Sequence, residues 1–369
     1  MPVTDLPDPG TRLARLRGGA PPRAHDARTI AAFTSNPGCV RRGLMDAAGV
    51  DKTEVATRLG FAPRFGQSQF ALTRGNVFES QVKADGCAEL LTLLRDRLGL
   101  PVPEVAYDDL GAVGADEGNE VRHARTRRLL LRAATANGGT LFDHPLLRLD
   151  IAGQPAYLEP DVIAFQLAGR FHVIEIKSFA VIDGQADPEQ VAAAARQSAV
   201  YVLALRELLG ELGLDPGLVG HDVILVCPEN FSNRPTATFV DVRRQLAVLR
   251  RQLERVTRAE DVLAELPAGL GFGAGPGLDS AVRSVEARYS PDCMSACELA
   301  LFCRDEARAC GSTDALGRAV RDELGGIGTI GTALALADGS LQPAADQAEG
   351  AAWLRTAARL RREALGPGA

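Results

Sequence analysis

The run Phe171-His172-Val173-Ile174-Glu175-Ile176-Lys177-Ser178-Phe179 sets an acid and a lysine two apart inside a largely apolar stretch. Strand side chains alternate between faces, so Glu175 and Lys177 point one way while Ile174 and Ile176 face the opposite layer. Charges in such a strand are costly unless they are paired or hold an ion. A second acid, Asp161 of Pro160-Asp161, stands fourteen residues earlier. Lysine itself is scarce: Lys52, Lys83 and Lys177 are three of 41 basic residues, and the other 38 are arginine. Its compact ammonium has a pKa that falls on burial, so Lys177 can orient or activate a water as a guanidinium cannot.

The flanking sequence gives these residues a frame. Residues 147–151 and 157–165 read as strands joined at Gly153-Gln154-Pro155, with a further turn at Ala168-Gly169-Arg170. The expected product is a three-stranded meander with Asp161 on one strand and Glu175 on the next. Asp187 then caps a helix whose first position is Pro188 and which is expected to run to about residue 205. Gln197 and Tyr201, four apart, share one of its faces. Upstream, residues 73–82 read as a helix carrying Glu79, with Lys83 four residues on as an ion-pair partner.

The order Glu79, Pro160-Asp161, Glu175-x-Lys177, Gln197-x3-Tyr201 resembles the PD-(D/E)XK nucleases, specifically the RecB-type branch that adds a Gln-x3-Tyr helix, over about residues 30 to 310. The resemblance implies a restriction-endonuclease-like α/β fold, a mixed sheet flanked by helices. It implies that Asp161 and Glu175, with Glu79 and the Ile176 carbonyl, ligate Mg2+ or Mn2+, hard cations that take oxygen ligands. Lys177 would position the attacking water, and Gln197 and Tyr201 would steady the metal site and the nucleic-acid backbone. Many RecB-type nucleases carry a histidine near the first motif, where this chain has Phe78 and Glu79. The implied activity is metal-dependent hydrolysis of DNA, by an exonuclease on single strands or duplex ends, in repair or recombination, CRISPR adaptation or phage defence. The competing reading is a catalytically silent DNA-binding scaffold that keeps the fold.

Seven cysteines include Cys293, Cys297, Cys303 and Cys310, with Cys39 far upstream ahead of Val40-Arg41-Arg42. Residues 1–6 lack a positive region followed by an apolar one, so a reducing, cytoplasmic setting is expected, where clustered cysteines bind metal more often than they pair. The arrangement is similar to the iron-sulfur subgroup of RecB-type nucleases, which includes AddB and the CRISPR-adaptation exonucleases. That resemblance implies Cys39, Cys293, Cys297 and Cys303 around a [4Fe-4S] cluster, with structural Zn2+ or scattered core cysteines as alternatives. Cys293-x3-Cys297 is one residue longer than the usual pair, so either the loop bulges or Cys310 takes a place. A cluster closing such a loop would stabilise by roughly 3 to 5 kcal/mol, as a staple rather than a redox centre. Cys87, in an apolar helix, and Cys227, ending a strand at 223–226, read as small core residues.

The chain has 369 residues, 46% of them hydrophobic, enough for one large core and a second, smaller one. Its net charge of −6 does not advertise a nucleic-acid binder, so a local patch must attract phosphate. Arg122 to Arg128 and the group Arg243, Arg244, Arg250, Arg251 and Arg255 are the two candidates, each of which a solvated face explains as well. No apolar run reaches the roughly eighteen residues of a membrane span. No P-loop is present, so any helicase would be a separate partner. The five histidines show no paired zinc spacing.

The expected organisation is a flexible arm at 1–28, a nuclease core at 29–265 with a helical insertion at about 86–145, and a Gly/Pro-rich linker at 266–280. A helical, cysteine-bearing C-terminal cap follows at 281–369. Within it Leu324-Gly325-Gly326-Ile327-Gly328 resembles a helix-hairpin-helix turn, in which Gly326 and Gly328 would let backbone amides approach phosphate. A glycine-rich turn between packed helices is the alternative. The last helix, from residue 344 to about 365, reads as a lid on this module.

Overall fold

The computed structural model describes residues 9–63, 69–98, 106–111, 117–136, 139–151, 153–167, 169–230, 232–257, 269–273 and 275–365. In chain order its helices are α1 (Pro9–Leu16), α2 (Ala27–Ala32), α3 (Val40–Ala47), α4 (Lys52–Arg58), α5 (Gln69–Val82), α6 (Ala84–Leu98), α7 (Asn119–Ala136), α8 (Pro188–Glu211) and α9 (Arg243–Thr257). They continue as α10 (Leu278–Arg283), α11 (Cys293–Ala296), α12 (Ala300–Cys310), α13 (Arg318–Leu324), α14 (Ile330–Asp338) and α15 (Ala348–Leu365). The strands are β1 (Ala106–Asp109), β2 (Thr140–Asp143), β3 (Leu147–Ile151), β4 (Gln154–Leu158), β5 (Val162–Leu167), β6 (Arg170–Ile176), β7 (Asp222–Pro228) and β8 (Pro235–Asp241). Two compact units divide the chain: Arg23–Thr34 with Gly66–Ala259, and Met1–Pro22 with Ser35–Phe65 and Glu260–Ala369.

The first of these units is a mixed α/β fold on a six-stranded mixed sheet of order β1-β2-β5-β6-β7-β8. β6 is central, antiparallel to β5 and parallel to β7. From Phe171 to Ile176 it is buried at every position, as expected of an inner strand covered on both faces. Ile174 and Ile176 pack with Phe78 and Val82 of α5 and Leu90 and Leu94 of α6. Glu175 alternates to the other face, where its β7 neighbour Leu225 packs against Ala194 of α8. Burying each Ile, Leu or Phe here contributes about 1.5 to 3 kcal/mol, so the register that turns Glu175 inward is fixed by the isoleucines on either side.

Three expectations are corrected. Residues 147–176 do not form one meander, because 157–165 breaks into β4 and β5. β3 and β4 form their own two-stranded sheet, and β5 joins the large one. Pro160, which has no N–H to give a ladder, falls in the break and leaves Asp161 at the entry to β5. The insertion at 86–145 is not purely helical, since it supplies β1 and β2, with β2 hydrogen-bonded to β5. α8 also runs one and a half turns past the expected end, with Leu208 and Leu209 buried.

The other unit gathers α1, α3 and α4 with the C-terminal helices, so Ser35–Phe65, expected in the core, belongs here. The arm expected at 1–28 is ordered over α1: Leu16 is buried, and its carbonyl accepts from Phe272 N at 2.7 Å. Phe272, inside the expected linker, is buried in the same core; residues 266–268 and 274 of that linker lie outside the described residues. Gly18 and Gly273 are in close apposition: a Cβ on Gly18 would lie 2.7 Å from Gly273 Cα, and Gly18 has φ +66°. In α15 Leu354 packs inward, but Trp353, Leu360 and Leu365 are exposed, so the expected lid is only partly seated. No described helix is long and apolar enough to cross a membrane.

Candidate active site and cysteine cluster

Asp161, Glu175, Lys177, Gln197 and Tyr201 meet around the C-terminal end of β6. Asp161 Oδ2 accepts from Ile176 N at 2.7 Å, which ties the entry of β5 to the exit of β6. Glu175 is fully buried and paired with the Lys177 ammonium, while its Oε2 has no hydrogen-bond partner. Lys177 leaves the strand with its N–H on Val226 O at 2.8 Å, and its Nζ donates to Gln197 Oε1 at 3.3 Å. Gln197 Nε2 in turn donates to the Tyr201 hydroxyl at 3.0 Å. The Gln-x3-Tyr face of α8 therefore holds the lysine, which holds the acid.

Burial pushes the Glu175 carboxyl up and the neighbouring Asp161 charge pushes it further, against the pull of Lys177. Asp161 is also raised, by burial above all. For Lys177, burial alone would lower the pKa, but Glu175 and Asp161 outweigh it and the ammonium is held above its usual range. This corrects the expectation of a lysine whose proton is loosened by burial: Lys177 is a fixed donor. A fully buried and a half-buried carboxyl group served by one cation, the first with an orphaned oxygen, form a donor set that fits a hard divalent ion.

Glu79 lies within electrostatic reach of Asp161, Glu175 and Lys177, but its own carboxylate is bonded by other residues. Its Oε1 bonds Lys83 Nζ at 2.5 Å and His144 Nε2 at 3.1 Å. Lys83 also reaches Asp143 at 2.7 Å, His144 Nδ1 lies 2.9 Å from Asp143, and Tyr107 donates to Asp143 at 2.6 Å. Burial would raise Glu79, but His144 and Lys83 win and hold it down to about 2. The bonds to Asp143 and Glu79 raise His144 to about 10. Among the described residues, Glu79, Asp161 and Glu175 do not bring three ligand oxygens within 4.8 Å of one another. Asp109, Asp143 and His144 do, as do His221, Asp222 and Asp241; in the first group His144 is engaged by both Asp143 and Glu79.

Sequence reasoning missed Asp143 and His144. The histidine that meets Glu79 comes from just past the end of β2, 65 residues on. His144 sits at φ 48°, in the left-handed region, and Gly111 leaves room for it: a Cβ there would come within 3.1 Å of the ring. The one available signal was His144 directly after an acid, too common a pair to stand alone.

In the other unit, Cys293, Cys297 and Cys303 are buried, Cys39 is partly so and Cys310 is exposed. α11 is a single turn in which Cys297 N bonds Cys293 O at 2.9 Å, so the extra residue of Cys293-x3-Cys297 is taken up as an i,i+4 pair. Cys39 caps α3 and lies within electrostatic reach of Cys303. Asn36 Nδ2 donates to Cys293 Sγ at 3.1 Å and Arg41 Nη1 to Cys303 Sγ at 3.2 Å. Burial pushes the Cys297 thiol up to about 12 and Cys303 to about 11, against the pull of Arg42, Lys52 and Arg41. Buried sulfurs facing buried cations fit thiolates held by a metal or cluster. Among the described residues no three of the sulfurs lie within 4.8 Å of one another, whereas one tetrahedral zinc with bonds of ~2.3 Å would set them ~3.8 Å apart. Cys87 and Cys227 are buried core residues of the α/β unit; Cys87 occupies a left-handed kink at the start of α6, not the body of the helix.

The remaining candidates are weaker. α13, the Gly325 to Gly328 turn and α14 pack around Ile327, Ala333, Leu336 and Ala351, as a turn between packed helices does. A Cβ on Gly326 would meet an Asp346 carboxylate oxygen at 2.6 Å, a charge unfavourable to phosphate, whereas the space at Gly328 is open. Of the arginines on α7, Arg122 pairs with Glu159, Arg125 with Glu117 and Arg127 with Glu211, so that stretch is largely neutralised.

Neither protein-family models nor curated proteins give a match to this chain. The class that fold and site define is a mixed α/β protein with a two-carboxylate, one-lysine centre and a group of buried cysteines in its other unit.

Proposed function

We propose that this protein is a metal-dependent deoxyribonuclease of PD-(D/E)XK type. The observation that carries the reading is the fully buried Glu175 with an unbonded Oε2, beside Asp161 and clamped by Lys177. Asp161 and Glu175, with the Ile176 carbonyl, would hold Mg2+ or Mn2+. A cation held there polarises the phosphodiester and lowers the pKa of a bound water. Lys177 Nζ, a donor only, fixes the Glu175 carboxylate and would hold the attacking water in place by donating to its oxygen. Gln197 keeps Lys177 on that line. Tyr201 is only 4% exposed, so it steadies Gln197 and does not reach the nucleic-acid backbone itself. Glu79, gripped by Lys83 and His144, would join the cation only by exchanging those bonds.

Cys39, Cys293, Cys297 and Cys303 would hold a [4Fe-4S] cluster, a cross-link between segments far apart in the chain. Soft thiolates suit such a cluster. The substrate class is DNA with single-stranded or duplex ends, a helicase being a separate partner.

The test is cleavage of end-labelled single- and double-stranded DNA by anaerobically purified protein, with Mn2+, with Mg2+ and with EDTA. Wild type should cut only with metal, and Lys177→Ala should lose at least 100-fold in rate while folding normally. Equal cutting by both proteins would remove Lys177 from the site. No cutting by wild type with DNA still bound would favour the scaffold reading.

A further inference from the structure

We propose that Arg41 and Asn36 are positioning residues that donate to the cluster sulfurs and, with the buried charge of Arg42, set the reduction potential of the cluster. The inference rests on the cluster reading above. It adds a redox setting to what the sequence presented as a staple.

Arg41 is only 2% exposed and fixed on every side. Its Nε donates to Val285 O at 3.1 Å, its Nη1 and Nη2 grip the Glu306 carboxylate at 2.7 and 3.2 Å, and its backbone N–H bonds Glu286 O at 2.9 Å. The Phe302 ring lies 5.6 Å from its Cζ. An ion pair with Glu306 needs none of the sulfur, yet Nη1 is shared with Cys303 Sγ at 3.2 Å. Asn36 makes the matching contact to Cys293 while its amide also donates to Arg288 O. Arg42, equally buried, spends Nε on Asp46 at 3.2 Å and has an Nη1 with no hydrogen-bond partner. It and Lys52 lie within electrostatic reach of Cys297. A buried guanidinium nitrogen without an acceptor is costly unless negative charge lies nearby.

A thiolate-bound iron-sulfur cluster carries net negative charge and gains more on reduction. N–H donors on its sulfurs and fixed cations beside it stabilise the reduced state more than the oxidised one, which raises the potential. Each of the three buried cysteines faces such a group, and all of these groups come from residues 36–52, the segment that also carries Cys39.

The experiment uses the full chain, purified anaerobically, as wild type, Arg41→Gln and Asn36→Ala. Iron and sulfide contents are measured, and the midpoint potential is taken from a redox titration followed by electron paramagnetic resonance. The expected result is a full cluster in the variants and a lower potential, with the reduced fraction at a fixed potential falling several-fold; tenfold corresponds to about 59 mV for one electron. If Arg41→Gln does not fold, Asn36→Ala decides. Full clusters with unshifted potentials would overturn the inference and leave the cluster standing. Zinc in place of iron and sulfide in wild type would overturn the cluster reading and this inference together.

Discussion

Lys83 and His144 show how a few side chains settle the state of an acid. The sequence offers Glu79 as a metal ligand, with a helix ion pair to Lys83 as the alternative, and the pair forms; what sequence did not reveal is that His144 and Asp143 complete a four-residue charged network around it. Gly111 is the tightest test of that network. Adding a methyl there puts Cβ 3.1 Å from a ring already held at positive φ. Gly111→Ala should therefore destabilise by about 1 to 3 kcal/mol in urea unfolding, the range for overpacked sites. Unchanged stability would mean that His144 has room to move. Asp161, Glu175, Lys177, Gln197 and Tyr201 were legible because charge inside an apolar run, or a polar pair four apart on a helix, needs a reason. Asp143 and His144 were not, because a strand of four residues shows too little alternation to signal itself and their partners Tyr107, Lys83 and Glu79 lie 36 to 65 residues away.

At the scale of the element, Pro160 and α11 account for the largest differences between reading and structure. A run of alternating residues crosses 157–165, but one missing N–H is enough to end one sheet and begin another. The extra residue between Cys293 and Cys297, which read as a bulge or a substitution by Cys310, is one turn of helix. β6, by contrast, was plain, since a buried central strand has a nearly continuous apolar sequence. The acid it carries gives the protein a pH signature. Glu175 and Asp161 keep their protons to higher pH in the folded chain than their ordinary values of 4.5 and 3.8. Above about pH 4.5 the folded state thus binds more protons than the unfolded one, and stability falls as pH rises. Mn2+ held at the proposed site would replace those protons, so the rise in melting temperature that it produces should grow from pH 5.5 to 8, measured by differential scanning fluorimetry. A rise independent of pH would place the metal elsewhere.

For the molecule as a whole, the chain divides into two units, each assembled from segments distant in sequence. The α/β core was legible in its sheet strands and helices. The recruitment of residues 35–65 to the C-terminal helices was not, because it depends on contacts such as Arg41 with Val285 and Glu306 that no local pattern encodes. The two proposed metal sites fall in different units and should respond separately. Cys303→Ala should lower soluble yield and iron content, and should lower the stability of the cysteine-bearing unit while the Mn2+ response of the α/β unit persists. Loss of both together would show that the units are not independent. The central claim, that Asp161 and Glu175 hold a divalent cation, is tested most directly by titrating Mn2+ calorimetrically into wild type, Asp161→Asn and Glu175→Gln. The account predicts saturable binding by wild type that both variants lose while remaining folded; equal binding by all three would contradict it.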